Sequence, residues 1–138
     1  MKRSCVSAPT RVLLDTSVVI ALARGEPLAL TDPPAEATIS VVTLCGLHRG
    51  VLAAPTAERA ARLAVLAYAE RTFRALAVDE RVAPEYGRIS QEAAGAGRDV
   101  RRHLADLLIA ATAAAHGLLL LTRDRQLDAT PGVETLLV

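Results

Sequence analysis

The 138-residue sequence predicts one α/β domain built on a mostly parallel central sheet of about five strands. Three observations predict it. Short apolar runs recur along the chain, each followed by a longer segment of helical periodicity. The runs are apolar at consecutive positions, as expected of strands covered on both faces. The chain is also of single-domain size, with no repeat, low-complexity tract or interdomain linker.

The elements follow in order. Residues 11–15, RVLLD, form a strand ending in an acid. TSVVIALARG is a helix, with Thr16 or Ser17 as its cap and Gly25 as its stop. Pro27, Pro33 and Pro34 make the next stretch a loop. Residues 37–42, ATISVV, give a second strand, and TLCGLHRGVLA the helix after it. Residues 55–72 form an amphipathic helix with Pro55 near its start. Residues 73–79 are a third strand, 80–96 a helix, and AGAGRD a flexible connection. A helix over 102–117 stops at Gly117, a fourth strand occupies 118–122, RDRQLDATPG is a loop, and 133–138 close the sheet. Residues 1–10 carry two basic residues and no apolar signal-peptide core, and are expected to be a flexible tail.

Composition narrows the chemistry. Half of the residues (51%) are hydrophobic, but there is one Phe, two Tyr and no Trp, so the core is aliphatic and base stacking is a poor way to grip nucleic acid. Net charge is +1, so any nucleic-acid contact needs a local basic patch. Lys2 is the single lysine, which removes mechanisms that use an active-site lysine. Cys5 and Cys45 make no disulfide framework; Cys45 reads as a small core residue, and a reducing cytoplasm fits. The run from 107 to 121 is broken by His116-Gly117 and is too short to span a bilayer, so no membrane role is expected.

The acids fall in a pattern. Sites in open parallel sheets lie beyond the carboxyl ends of the strands. Asp15 ends the first strand, Asp124 lies just past the fourth, and Asp106 opens the helix that precedes the fourth. Each alone has an ordinary reading: a helix cap, a favourable position near a helix dipole, a turn residue. Three carboxylates drawn together repel unless a cation sits among them, and Mg²⁺ or Mn²⁺ suits oxygen ligands. No CxxC, HExxH or histidine cluster supports zinc; His48, His103 and His116 read as surface or packing residues. A carboxylate-held Mg²⁺ can hydrolyse phosphodiesters. Arg49 and Arg123 are candidate phosphate contacts.

LLDTSVVIAL, ISVVTLCGLHRGVL, DLLIAATAAAHGLLLLTRDRQLD and PGVETLLV, in that order, resemble PIN-domain ribonucleases of the VapC toxin type. The resemblance runs from Arg11 to Val138 and implies an α/β/α sandwich. It implies a Mg²⁺-dependent endoribonuclease acting on structured RNA, chiefly tRNA or rRNA. It also implies a homodimer and a VapB-like antitoxin that silences it. The family's acids fall on Asp15, Asp106 and Asp124, with Asp128 as an outer acid and the hydroxyls of Thr16, Ser17 and Thr122 as supporting donors.

One position departs from that pattern. Where the family carries a glutamate, this chain has Gly46 in a helical segment, where glycine costs about 1 kcal/mol relative to alanine. Glu to Gly is a single-base change, and an active RNA-cleaving toxin kills its host. Gly46 is therefore expected to weaken or abolish cleavage, as a change selected in cloning, a deliberate one, or a natural degeneration. Three rivals remain. A phosphoacceptor receiver would want a paired acid and a late lysine, and a DxD phosphatase would want a second acid after Asp15; this chain has neither. A catalytically silent PIN module would still bind antitoxin or RNA. The apolar surplus of the helix over 55–72 offers either core packing or a partner face.

Overall fold

The computed structural model describes residues 11–138; the expected tail, with Lys2 and Cys5, lies outside them. Five strands form the sheet: β1 (Arg11–Leu14), β2 (Glu36–Ser40), β3 (Arg74–Leu76), β4 (Leu119–Thr122) and β5 (Thr135–Leu137). Six helices join them: α1 (Thr16–Ala23), α2 (Val41–Ala53), α3 (Thr56–Thr72), α4 (Val82–Gly95), α5 (Leu104–Ala115) and α6 (Arg125–Asp128). The sheet order is β3-β2-β1-β4-β5, and every pairing is parallel.

Strand side chains alternate between two buried faces. Val12 and Leu14 of β1, Ile39 of β2 and Leu121 of β4 pack with Val18 and Val19 of α1, Leu47 of α2 and Leu66 of α3. On the opposite face Leu13 and Leu120 meet Ile109, Ala110 and Ala113 of α5. Burial of each large aliphatic side chain contributes about 1.5–3 kcal/mol. A third cluster joins α4 to α5 through Val82, Ile89, Ala93, Leu107 and Ala111. These layers make the expected α/β/α sandwich.

Several boundaries differ from expectation for local reasons. Val41 and Val42 begin α2 instead of ending β2, because the Ser40 side chain accepts the Val42 N–H at 3.1 Å and caps the helix there. β3 keeps three of its seven expected residues, and the expected last strand shrinks to Thr135–Leu137. The expected loop after β4 contains α6, started by Asp124, whose carboxylate accepts the Gln126 N–H at 2.8 Å. Cys45 is exposed, not a core residue: α2 buries Thr43 and Leu47, and position 45 faces outward although its neighbours are apolar. Gly25 and Gly117, at φ 72° and 62°, supply the left-handed residues that end α1 and α5.

The order reverses between β1 and β4, the two strands that leave the middle of the sheet toward opposite edges. A crevice opens at such a switch point beyond the carboxyl ends of the strands. Asp15 and Asp124 stand there.

Candidate active site at the carboxyl edge

Asp15 follows β1 directly, and its N–H extends the ladder to Leu121 C=O at 2.9 Å. It occupies the cap position of α1, but its carboxylate caps nothing. Oδ2 accepts instead from Ser17 Oγ at 2.7 Å and from Thr122 Oγ1 at 2.9 Å. The residue is 4% exposed. Burying a carboxylate is costly unless hydrogen bonds replace its lost hydration, and these two hydroxyls do so.

Thr122 links two acids. Its hydroxyl donates to Asp15 and accepts the Asp124 N–H at 3.0 Å. Ser17 acts in the same way, its hydroxyl donating to Asp15 and accepting the Arg123 N–H at 3.1 Å. The turn after β4 is thus tied to the acid that ends β1. Thr16 points elsewhere, meeting the Thr43 hydroxyl of α2 at 3.0 Å.

Asp106 enters from the first turn of α5. Its carboxyl is pushed above the usual carboxylate range, chiefly by burial and then by the negative charges of Asp15 and Asp124. The three acids, 91 and 18 residues apart along the chain, therefore share one electrostatic neighbourhood. His103 opposes the rise, with Nδ1 at 3.8 Å from Asp106 Oδ2, too long for a hydrogen bond but close enough for charge. His103 is thus neither a surface nor a packing residue alone; its i, i+3 spacing from Asp106 is the signal that pairs them on a helical turn.

The other expected residues divide. Arg123 is exposed, and its guanidinium pairs with Glu26 at 2.5 Å. Arg49 is exposed on α2 and makes no ion pair among the described residues. Asp128 turns away toward β5, accepting the Thr135 hydroxyl at 2.7 Å. It therefore anchors a strand end. Gly46 is exposed inside α2, and an added Cβ there would meet nothing within 4 Å. Neither its φ nor packing calls for glycine. It lines an open groove of about 550 Å³ together with Thr16, Ile20, Leu47 and Val65.

Carboxylate and hydroxyl oxygens form a hard donor set suited to a divalent cation. Burial and then two neighbouring acids disfavour the charged Asp106 carboxylate, and a cation among them would relieve the second of these. Among the described residues no three His, Cys, Asp or Glu side chains close into a ready-made cage.

The PIN domain family model matches residues 12–133. Ribonuclease VapC5 of Mycobacterium tuberculosis (strain ATCC 25618 / H37Rv) is 39% identical over 127 residues, covering 91% of this chain and 92% of the relative. Ribonuclease VapC4 of the same strain is 38% identical over 131 residues, 93% of this chain and 97% of the relative. Among solved structures, VapBC-5 from Mycobacterium tuberculosis, a member of the VapBC family of toxin-antitoxin systems, matches with a TM-score of 0.80 and 39% identity, covering 94% of this chain and 100% of that one. With the family model and these likenesses spanning nearly the whole chain, the protein belongs to the PIN-domain family of VapC ribonucleases.

Proposed function

We propose that this chain is the toxic component of a type II toxin–antitoxin module, a Mg²⁺-dependent endoribonuclease that hydrolyses RNA phosphodiesters, tRNA or rRNA by resemblance. The reading is supported by the electrostatic coupling of Asp106 to Asp15 and Asp124, and by the hydroxyl of Thr122 that joins Asp15 to the Asp124 backbone. Asp15, Asp106 and Asp124 would hold the ion, with Mn²⁺ as a substitute. When bound, such an ion supplies polarisation of the scissile phosphodiester and a lowered pKa for an attacking water.

The chain's own contribution is positional. Ser17 and Thr122 fix the Asp15 carboxylate with two hydroxyl donors, so it is held in one orientation in its buried position. Thr122 also holds the backbone of Asp124, so the two strand ends move as one body. Asp106 adds charge from α5, which packs against α2. The expected phosphate contact at Arg49 fits an exposed, uncommitted guanidinium. Arg123 would have to leave Glu26 to serve in that way.

Gly46 weakens this enzyme in our reading. Position 46 rises beside Thr16, one turn after Thr43, with open space around it, so a glutamate there would reach toward the crevice without displacing anything. Its loss leaves the metal pocket one carboxylate short. The same observation favours a second reading, a silent module that binds antitoxin or RNA without cutting.

A VapB-like antitoxin is the partner we assign, with a homodimer as the working assembly. The groove between α1, α2 and α3 suits a helical segment: Ile20, Leu47 and Val65 give an apolar floor, and Arg24, Glu58 and Arg62 a charged rim. The whole chain is read as one domain in the cytoplasm; among the described residues no helix is long and apolar enough to cross a membrane.

RNA cleavage with Mg²⁺ and Mn²⁺, measured beside metal binding for this chain and for Gly46→Glu, tests the proposal. Cleavage that rises in Gly46→Glu and disappears on adding Asp15→Asn supports it. Metal-independent cleavage, or none in either protein, removes the enzyme reading.

A further inference from the structure

The opposite edge of the sheet carries a second cavity, of about 200 Å³. It is lined at the amino ends of the strands by Arg11 of β1, Glu36 and Thr38 of β2, Arg74 of β3, and Arg81 and His116. Val12, Leu76 and Leu118 make its apolar floor. A strand of four residues spans about 13 Å at 3.3 Å per residue, which separates this cavity from the aspartates.

Its charges do not cancel. Arg11 is paired with Glu36 at 3.1 Å, and Arg81 with Asp79 at 3.1 Å. Arg74 forms no ion pair or hydrogen bond through its side chain among the described residues. His116, the C-cap residue of α5, brings a second unmatched group. Its Nε2 is buried and has no hydrogen-bond partner, alone in this respect among the described side chains. Buried ring nitrogens are nearly always paired, so an orphan in a cavity wall points to something that enters the cavity.

We propose that this cavity is a binding site for a phosphate-type oxyanion, gripped by the Arg74 guanidinium and the Nε2–H of His116. A fork of N–H donors and an imidazole donor on different walls suit an acceptor with oxygens facing several directions. The volume equals roughly six or seven water molecules of liquid, room for a tetrahedral anion and its closest waters. Arg11 and Arg81 are held by their own carboxylates, which leaves Arg74 as the cation of the lining with no ion pair among the described residues. Neither the metal pocket nor Gly46 enters this site.

The ligand chemistry has two sources, free inorganic phosphate or the terminal phosphate of an RNA. The test is a titration of inorganic phosphate into the metal-free protein at constant ionic strength, read by NMR on the imidazole signals. His48, beside Glu70, and His103, beside Asp106, are internal references. His116 signals should shift saturably while those of His48 stay still. Arg74→Ala should weaken the response at least about tenfold, the loss of one charge-assisted hydrogen bond of about 1.5–3 kcal/mol. Arg74→Lys, which keeps charge but loses the fork, should fall between. A second arm adds short RNA carrying a 5′-phosphate or a 5′-hydroxyl, with chelator present to prevent cleavage. Competition by the 5′-phosphate alone identifies a terminal phosphate as the source; no competition by either identifies free phosphate. The proposal is overturned if His116 shows no saturable shift, if all three histidines shift alike, or if Arg74→Ala responds as the parent does.

Discussion

The two ends of one four-residue strand differ in how completely their charges are answered. At the carboxyl end of β1, Asp15 is buried and its Oδ2 receives two hydroxyls from within the fold, while Asp106 remains burdened by burial and then by its acidic neighbours. At the amino end, Arg11 and Arg81 already have carboxylate partners, and the surplus lies in Arg74 and the His116 ring. Acids stand at the carboxyl edge, whereas the amino edge sets arginines around an imidazole nitrogen that has no partner. A parallel sheet sets this polarity: every strand runs the same way, so all strand-end loops of one kind gather at one edge.

The largest expected effect sharpens the contrast at the acidic edge. Gly46→Glu adds a carboxylate in open space on α2. Supporting residues around metal sites are worth 10–100-fold in affinity or activity, and if position 46 serves the ion, the added acid should gain at least about that much in Mg²⁺-dependent cleavage. Replacing a helix-interior glycine should also stabilise α2 by about 1 kcal/mol. Denaturant unfolding and a gel-based RNA assay measure both. Unchanged cleavage with improved stability would show that position 46 belongs to the helix alone.

Next is Thr122→Val, which keeps the shape of a fully buried side chain and deletes the hydroxyl between Asp15 and Asp124. Stability should fall by about 1–3 kcal/mol, because the Asp124 N–H loses its acceptor and Asp15 a donor. Mg²⁺ affinity should fall roughly tenfold or more, since the acids lose their common anchor. Calorimetric metal titration of folded protein separates the two effects. A stability loss without any change in metal affinity would make Thr122 a packing residue only.

Much of the acidic edge is legible in the amino-acid sequence. Asp15, Asp106 and Asp124 can be placed because strand ends in an alternating α/β chain have a known address, and the motif around DLLIAATA fixes the helix. The rest resists for physical reasons. Whether Asp128 faces the pocket or β5 depends on the rotation of α6, a four-residue helix that the sequence presents as a loop. Arg123 sits where a phosphate contact would, but Glu26, 97 residues away, claims its guanidinium, and no local pattern announces that pair. Cys45 misleads because α2 is apolar on faces that the sheet does not cover. His116 reads as a surface or packing residue, since an unsatisfied nitrogen is a property of its surroundings alone.

A smaller effect tests the acidic edge with no metal present. The Asp106 carboxyl is raised by burial and then by Asp15 and Asp124, so the folded protein holds that proton more tightly than the unfolded chain. As pH rises past the ordinary carboxylate range near about 4, the unfolded chain ionises first and stability falls until the native group ionises at its raised value. Asp106→Asn escapes this loss. Thermal melts with chelator should show its advantage over the parent widening between acidic and neutral pH and closing when Mg²⁺ is added. An advantage independent of pH would mean that the carboxylates do not feel each other.

The smallest effect concerns the one cation at the acidic edge that is already spoken for. The Arg123–Glu26 pair is part-exposed, so breaking it should change stability by no more than about 1 kcal/mol. Its value lies in what it withholds. Glu26→Gln removes the carboxylate and leaves Arg123 free beside Asp124, the position from which a guanidinium can meet a phosphate entering the crevice. If RNA passes there, Glu26→Gln should tighten RNA binding at low salt and steepen its salt dependence by about one phosphate contact, whereas Arg123→Gln should do neither. Filter binding across a salt series in chelator reads the slope directly. Identical slopes for parent and Glu26→Gln would leave Arg123 a structural partner of Glu26 and place the phosphate path on the side of Arg49.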